Sequence, residues 1–364
     1  MKILFVGGGT LGHIYPSFSV IDIIKQNGGI VYFVAGKREN EINAIKNNKQ
    51  IDECYFIDVV GFKRKISLHN FSAIKKYFCA KRYCIKLLKE IKPDVVVGMG
   101  GYVSGPVLKA AIKLKLKTII HEQNYVYGLV NRVLKNKVKK VLLSYNTDLK
   151  EGDNKILIGN PRCSEYYKKY YFYAKKKKSS RNVVLVIGGS LGASKINNYF
   201  LNNFNKFKEQ KIEIILITGK KYYYENEEKI ANVSYPYSVI PFVNNIYDYM
   251  IDAKLVVSRS GATTMSEIFG LKKVAIFIPS PNVSGNHQYK NAKYYYDKKC
   301  CELVLEEEID SELFKVINEL LIDEFYKSLI NKTPFISDCH TALAAVSIVN
   351  AIQHSKGRSI KIER

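Results

Sequence analysis

Lys2-Ile-Leu-Phe-Val-Gly-Gly-Gly-Thr-Leu-Gly12 decides the fold, because the chain repeats it in paraphrase as Asn182-Val-Val-Leu-Val-Ile-Gly-Gly-Ser-Leu-Gly-Ala193. Each stretch is a short apolar run that ends in glycines and then turns helix-like. That is the pattern of a first strand feeding a turn whose backbone N–H groups face an anion. Two copies, each opening a half-chain of domain size, predict two Rossmann-like α/β domains with parallel sheets.

Working outward, strand and helix patterns alternate along both halves. In the first half, strands are expected at Ile3–Val6, Ile30–Val34, Asp94–Gly98, Thr118–Ile120, Lys140–Leu143 and Ile156–Gly159, with helices at Pro16–Gln26, Glu39–Asn47 and Ala73–Ile91. Gly159-Asn-Pro161 breaks the pattern and marks the joint, so the domains are expected at residues 1–160 and 161–340. Lys175–Lys178 reads as a solvated connector. In the second half, strands are expected at Val183–Ile187, Ile214–Thr218, Ser238–Ile240, Leu255–Ser258, Val274–Ile278 and Cys301–Leu305. Apolar spacing over Ala342–His354 predicts a closing helix, and residues 341–356 are expected to complete the first domain.

The chain has 364 residues and is 47% hydrophobic, which argues against global disorder, and it carries a formal charge of +24. Its seven cysteines are scattered and include no Cys-x-x-Cys pair, so they read as reduced thiols and not as a disulfide framework or zinc site. Ile3 to Ile21 lacks charged residues, but its glycines, Thr10, His13 and Pro16 disqualify it as a membrane span. The excess of basic residues fits either compositional drift or attraction to anionic surfaces; no nucleic-acid motif accompanies it, so nucleic acid is not expected as a partner.

The chemistry-bearing residues fall at strand ends, where parallel sheets bind ligands. In the first turn Gly7, Gly8, Gly9 and Gly12 permit close approach to an anion. His13 follows; a histidine at a helix start sits at the positive end of the dipole, which favours the neutral imidazole that a general base needs. Gly98-Met-Gly-Gly-Tyr-Val-Ser-Gly-Pro106 makes a second close-approach loop on the same sheet edge. His121-Glu-Gln-Asn124 gathers polar groups at a third strand end. In the second half, Gly188-Gly-Ser-Leu-Gly192 offers N–H groups and the Ser190 hydroxyl to a diphosphate. Val256-Val-Ser-Arg-Ser-Gly-Ala-Thr-Thr-Met-Ser-Glu267 is another strand–turn–helix, and Glu267 has the chemistry to accept from both hydroxyls of a ribose. Asn286-His-Gln-Tyr-Lys-Asn291 supplies amides for sugar hydroxyls. No Asp-x-Asp occurs, so helix N-termini, and no metal, are expected to neutralise a leaving diphosphate.

Taken together, these motifs resemble the MurG family of N-acetylglucosaminyltransferases of peptidoglycan synthesis. The matches are Gly8–His13, Gly98–Pro106, His121–Asn124, Gly159–Pro161, Gly188–Ala193, Arg259–Ala262 with Ser266 and Glu267, and Gln288-Tyr289 with Asn291, in the family's order. The resemblance implies a GT-B fold, two Rossmann-like domains facing across a cleft. It implies inverting, metal-independent transfer of N-acetylglucosamine from UDP-GlcNAc to the C4 hydroxyl of the muramyl sugar in lipid I, giving lipid II and UDP. No cofactor is implied. By position, Glu267 matches the ribose-binding residue, Ser190 the donor-phosphate serine, Phe242 and Val243 the uracil side, and Ala262 and Thr264 the donor lining. Gln288 and Asn124 match sugar contacts. Thr10, Leu11, Gly12 and Arg162 join the UDP-GlcNAc set, and the resemblance implies an acceptor diphosphate loop of Gly9, Gly12, Gly100 and Gly101. His13 matches the proposed base, with Glu122 as the second candidate. Residues 1–160 become the acceptor and membrane-facing domain, and 161–340 the donor domain.

Three positions depart from the family pattern. Leu11 stands where glycine is usual. Gly159-Asn-Pro-Arg-Cys163 replaces Gly-Asn-Pro-Val-Arg. His287-Gln288 replaces a glutamine pair.

Lys63, Arg64, Lys65, Lys75, Lys76, Lys81 and Arg82 surround Leu68, Phe71, Ile74 and Phe78, a basic frame around apolar residues at helical spacing. Such a surface suits anionic lipid. The expected location is peripheral, on the cytoplasmic face of the bacterial inner membrane, with wall-synthesis proteins as further partners. Rival readings are a UDP-sugar 2-epimerase or another GT-B glycosyltransferase, a basic nucleic-acid binder, and an NAD-dependent dehydrogenase. The last lacks its acidic ribose residue: the second strand ends Val34-Ala-Gly36 with Lys37 and Arg38 next.

Overall fold

The computed structural model describes residues 1–61, 68–147, 154–173, 182–188, 193–243, 245–322 and 348–352. The chain divides into two compact units, Met1–Ser164 with Cys339–Arg364, and Glu165–Asp338. The change of unit falls inside a helix, Pro161–Tyr173, and not at a loop. Pro161 starts this helix instead of breaking the chain, because proline fits the first helical position, where its missing N–H is not needed. Lys175–Lys178 lies outside the described residues.

Among the described residues, the first unit holds β1 (Lys2–Val6), β2 (Ile30–Gly36), β3 (Glu53–Ile57), β4 (Val95–Gly98), β5 (Thr118–Glu122), β6 (Lys140–Leu143) and β7 (Lys155–Leu157). They form one parallel sheet in the order β3-β2-β1-β4-β5-β6-β7. Both faces of β1 are apolar: Ile3 and Phe5 enter one core with Ile21, Phe33 and Val97, while Leu4 and Val6 enter the other with Leu88, Val96 and Leu108. Strands covered on both faces read as continuous apolar runs, which made β1 legible. Strand β3 was not expected. Its central residues Cys54, Tyr55 and Phe56 are only half-buried at the sheet edge, so it carries no such run.

The second unit holds β8 (Val183–Ile187), β9 (Glu213–Ile217), β10 (Tyr237–Ile240), β11 (Leu255–Ser258), β12 (Val274–Phe277) and β13 (Glu302–Leu303), in the order β10-β9-β8-β11-β12-β13. Val184 and Val186 enter one core and Leu185 and Ile187 the other.

In each sheet the strand order reverses once, between β1 and β4 and between β8 and β11. Crossovers leave these strands in opposite directions, so the helices part and the carboxyl ends stay open. Register places the openings side by side. Val6 pairs with Gly98, and Ile187 pairs with Ser258. The turns beginning at Gly7 and Met99, and at Gly188 and Arg259, therefore start as neighbours.

Residues 348–352 are helical, and Ile348, Val349 and Ile352 pack into the first unit's core beside Ile3, Phe5 and Phe33. Ile348 and Ile352 are fully buried. Ile352→Ala should cost the chain about 2–5 kcal/mol in a urea melt, the range for deleting a large buried aliphatic side chain. A cost below about 1 kcal/mol would place this segment outside the core.

Candidate active site

The turn after β1 runs through Gly7–Thr10 into a 3-10 turn, Leu11–His13, and then the helix Tyr15–Gln26 with Pro16 in its first turn. His13 therefore precedes the helix instead of opening it. Its Nδ1 lies 3.0 Å from the Thr10 hydroxyl. The glycines around it are explained by what surrounds them. A β-carbon on Gly100 would come within 2.6 Å of the His13 ring, and one on Gly101 would meet the Gly8 carbonyl oxygen at 1.8 Å. Both residues have positive φ, +107° and +79°. The glycines of the β4 loop thus let it close onto the β1 loop and press against the imidazole.

Gly9 does not do what the sequence predicts. Its N–H donates to Glu41 Oε1 at 2.9 Å, and the Gly36 N–H donates to Glu41 Oε2 at 3.1 Å. A buried carboxylate of the protein holds the N–H expected to face a ligand phosphate, so Gly9 is removed from the diphosphate loop. Sequence reading missed Glu41 because it sits in a charged helix start, Glu39-Asn-Glu41, that looks solvated. Thr10 is exposed, Gly12 lies in the 3-10 turn, and Leu11 packs partly on the first core. Arg162 stacks its guanidinium over the Tyr15 ring at 5.3 Å, which brings the displaced arginine to the start of the same helix.

At the end of β5, both oxygens of Glu122 are committed to the local loop. Oε1 accepts from the Asn124 N–H at 3.0 Å and its amide at 3.4 Å; Oε2 accepts from the Gly128 N–H and the Asn131 amide, each at 2.9 Å. Burial raises its pKa, and these donors pull against that rise. With its acceptor directions filled, Glu122 organises the loop and half-buried Asn124, and it gives way to His13 as candidate base. Neighbouring His121 is buried, and its Nε2 lies 3.1 Å from both the Ser144 hydroxyl and the Gly159 carbonyl, tying β5 to the end of β7.

In the second unit, Ser190 lies outside the described residues. Gly188 follows β8, and its N–H donates to the Ile217 carbonyl at 3.1 Å. After β11, Gly261 precedes the helix Ala262–Gly270 without a side-chain cap, and a β-carbon on it would meet nothing within 4 Å. In this helix Ala262 and Glu267 are buried and Thr264 is half-buried, with Glu267 in the second turn. Arg259 braces the turn: its guanidinium donates to the carbonyls of Ile278 at 3.2 Å and Pro279 at 3.1 Å and pairs with Glu306. Ser260 Oγ donates to the Gln288 carbonyl at 2.9 Å, and Gln288 Oε1 accepts the Ser280 N–H at 2.8 Å. The Gln288 carboxamide oxygen is thus committed to the Ser280 loop. The Nδ1 of His287 lies 2.9 Å from the Ser284 carbonyl. Beyond β10, Phe242 is exposed with Lys220 over its ring at 5.4 Å, and Val243 packs on the core.

Two parallel sheets, each with a glycine turn at its reversal point and the second with an acidic residue in the adjacent helix, define the GT-B class of glycosyltransferase. The chain belongs to glycosyltransferase family 28, whose N-terminal domain matches residues 3–143 and whose C-terminal domain matches residues 183–334. It is 36% identical over 331 residues to UDP-N-acetylglucosamine–N-acetylmuramyl-(pentapeptide) pyrophosphoryl-undecaprenol N-acetylglucosamine transferase 1 of Bacillus cereus strain ATCC 14579, covering 89% of this chain and 91% of that protein. The enzyme of the same name, without the number, from Pediococcus pentosaceus is 33% identical over 340 residues, covering 91% and 93%. The crystal structure of MurG from Acinetobacter baumannii aligns with TM-score 0.73 at 24% identity, covering 97% of this chain and all of that one. The UDP-GlcNAc 2-epimerase of Neisseria meningitidis shares the fold at TM-score 0.65 and 14% identity, covering 96% and 98%.

Burial pushes the His121 pKa from 6.5 down to about 4. The unfolded chain takes up this proton near pH 6.5 and the folded chain only near pH 4. Stability attributable to His121 is therefore complete above pH 6.5 and falls as pH drops through that window, by about 3 kcal/mol at the bottom. Urea melts at pH 7 and pH 4.5 should show a smaller acid loss in His121→Gln than in the unaltered chain. Equal losses would mean that His121 is not the group responsible.

Proposed function

We propose that this chain transfers N-acetylglucosamine from UDP-GlcNAc to the C4 hydroxyl of the muramyl sugar of lipid I, with inversion, giving lipid II and UDP. The observation that carries the reading is the glycine-led helix N-terminus at Gly261–Ala262, which follows β11 beside β8, with Glu267 in its second turn. The relatives above 30% identity are named for this transfer, whereas the epimerase shares only the fold, so the transferase reading is preferred.

The second unit holds the donor. Glu267 accepts from the ribose hydroxyls, Phe242 and Val243 flank the uracil, Ala262 and Thr264 line the diphosphate, and Gln288 offers its NH2 to the sugar. As the anomeric bond breaks, negative charge grows on the leaving diphosphate. The N–H groups and dipole of the helix Ala262–Gly270, with the Gly188–Gly192 turn and Ser190, stabilise it. The first unit presents the acceptor. His13, its Nδ1 beside the Thr10 hydroxyl, takes the proton of the C4 hydroxyl. Attack from the face opposite the diphosphate inverts the anomeric centre through an oxocarbenium-like transition state. Gly12, Gly100 and Gly101 serve the acceptor diphosphate, and Thr10, Leu11, Gly12, Asn124 and Arg162 serve the UDP-GlcNAc that is brought to it.

The same reading places the first unit on the cytoplasmic face of an anionic membrane. No helix among the described residues is long and apolar enough to cross one. The helix Leu68–Ile91 buries Ala73, Ala80, Cys84, Leu87, Leu88 and Ile91 on one face. Phe71, Ile74 and Phe78 lie off that face, 67%, 44% and 57% exposed, so these residues do not serve the core. Lys75 is exposed beside them, and Lys76 pairs with Asp58 at 2.8 Å. Lys63 and Arg64 lie outside the described residues. Exposed aromatics framed by lysine suit the interface of an anionic bilayer.

Radiolabel transfer from UDP-GlcNAc to a lipid I analogue tests the chemistry. Glu267→Ala should raise the donor KM roughly tenfold or more, as expected for lost hydrogen bonds to a charged group. His13→Ala should cut kcat by about 10²–10⁴ with the donor KM little changed. Full turnover in His13→Ala would reject it as base, and epimerised UDP-sugar formed without acceptor would reject the transfer itself.

Sedimentation with anionic vesicles tests the surface. Phe71→Ser with Phe78→Ser, or Lys75→Glu with Lys76→Glu, should weaken binding by about tenfold or more. Unchanged binding in both would dismiss the patch.

A further inference from the structure

Glu41 is the buried carboxylate that the mechanism above leaves without a task. Its side chain has no solvent exposure, yet its two oxygens accept from two strand-end glycines, Gly9 after β1 and Gly36 at the end of β2. The site is built tightly around it. A β-carbon on Gly8 or on Gly36 would come within 2.7 Å of Oε2. Arg38 closes the other side: its NH1 donates to the Gly9 carbonyl at 2.5 Å, and its Nε lies 4.0 Å from Glu41 Oε1. The Arg38 guanidinium also sits over the Tyr102 ring at 5.9 Å, and that ring fills the space where Gly9 would carry a β-carbon. Gly9 is thus fixed through its N–H, its carbonyl and its Cα, immediately before the Thr10–His13 segment.

In a parallel α/β sheet, the turn after the first strand is where a nucleotide's diphosphate meets backbone N–H groups. Here the protein's own carboxylate takes that place. We propose that Glu41 is a positioning residue: an internal anion that fills the diphosphate cradle of the first sheet, fixes the turn that carries His13, and reserves the nucleotide for the second unit. Occupancy and like charge both keep a second anion out of the cradle. A fixed start to Thr10–His13 holds the imidazole where the acceptor hydroxyl arrives, and small displacements of a base are costly in rate. The inference rests on the reading of His13 as base, but the cradle itself is tested without catalysis.

Glu41→Gln keeps the side chain's size but offers one acceptor and turns an NH2 toward the second N–H donor, a mismatch. Its kcat should fall roughly tenfold or more, while the KM for UDP-GlcNAc and the Kd for UDP stay within about twofold. Glu41→Ala empties the cradle. Calorimetric titration with inorganic pyrophosphate under saturating UDP should show a binding site that the unaltered chain lacks. A Glu41→Gln kcat within about twofold of the unaltered chain would overturn the positioning role. So would a loss that merely follows the folded fraction in circular dichroism melts. Absence of pyrophosphate binding in folded Glu41→Ala would overturn the cradle. Should the unaltered chain transfer no sugar while Glu41→Ala gains the pyrophosphate site, the transferase reading fails and the cradle stands.

Discussion

The structure depends on how closely two loops approach at the reversal point of the first sheet. β1 and β4 are neighbours, and the turns that leave them are pressed together until no β-carbon fits between Gly101 and the Gly8 carbonyl or between Gly100 and the His13 ring. Parallel strands buried on both faces leave the chain few places to expose polar backbone, and the carboxyl edge is the main one. The candidate groups of the first unit are gathered there: the glycine turns, His13, the His121–Asn124 segment and Arg162 over Tyr15.

The two units answer the same topology in different ways. In the first, the turn after β1 is closed on itself by Glu41 and Arg38. In the second, the helix after β11 begins at Gly261, while Arg259 and Ser260 spend their hydrogen bonds bracing the turn. The first reversal point is closed by a carboxylate of the protein, and the second is braced by an arginine. That asymmetry gives the proposed division of labour a physical basis: a base on the first unit and a leaving diphosphate on the second.

The strands that carry this arrangement were legible because parallel strands covered on both faces are unbroken apolar runs, as Val183–Ile187 and Lys2–Val6 are. β3 was not, since an edge strand need not be apolar throughout. The glycine loops were visible as composition, but their reason was not. Sequence suggested close approach to a ligand, whereas Gly100 and Gly101 are required by approach to His13 and Gly8. Glu41 was invisible because a charge at a helix start normally points to water. Its burial follows only from where the end of β2 delivers it, a tertiary fact that no local pattern records. Glu122 erred in the opposite direction. A carboxylate at a strand end looked like a base, but its neighbours Asn124, Gly128 and Asn131 surround it with donors. The apolar residues of Leu68–Ile91 show the same ambiguity resolved by structure, with Ala73, Ala80, Cys84, Leu87 and Leu88 inward and Phe71, Ile74 and Phe78 outward.

The account stands on the uridine diphosphate being held by the second unit and refused by the first. A crystal grown with UDP is the direct measurement. It should show the diphosphate at the N-terminus of the helix Ala262–Gly270, the ribose hydroxyls on Glu267, and Gly9 still bound to Glu41. Nucleotide density at the Gly7–Gly12 turn, with Glu41 displaced, would contradict it.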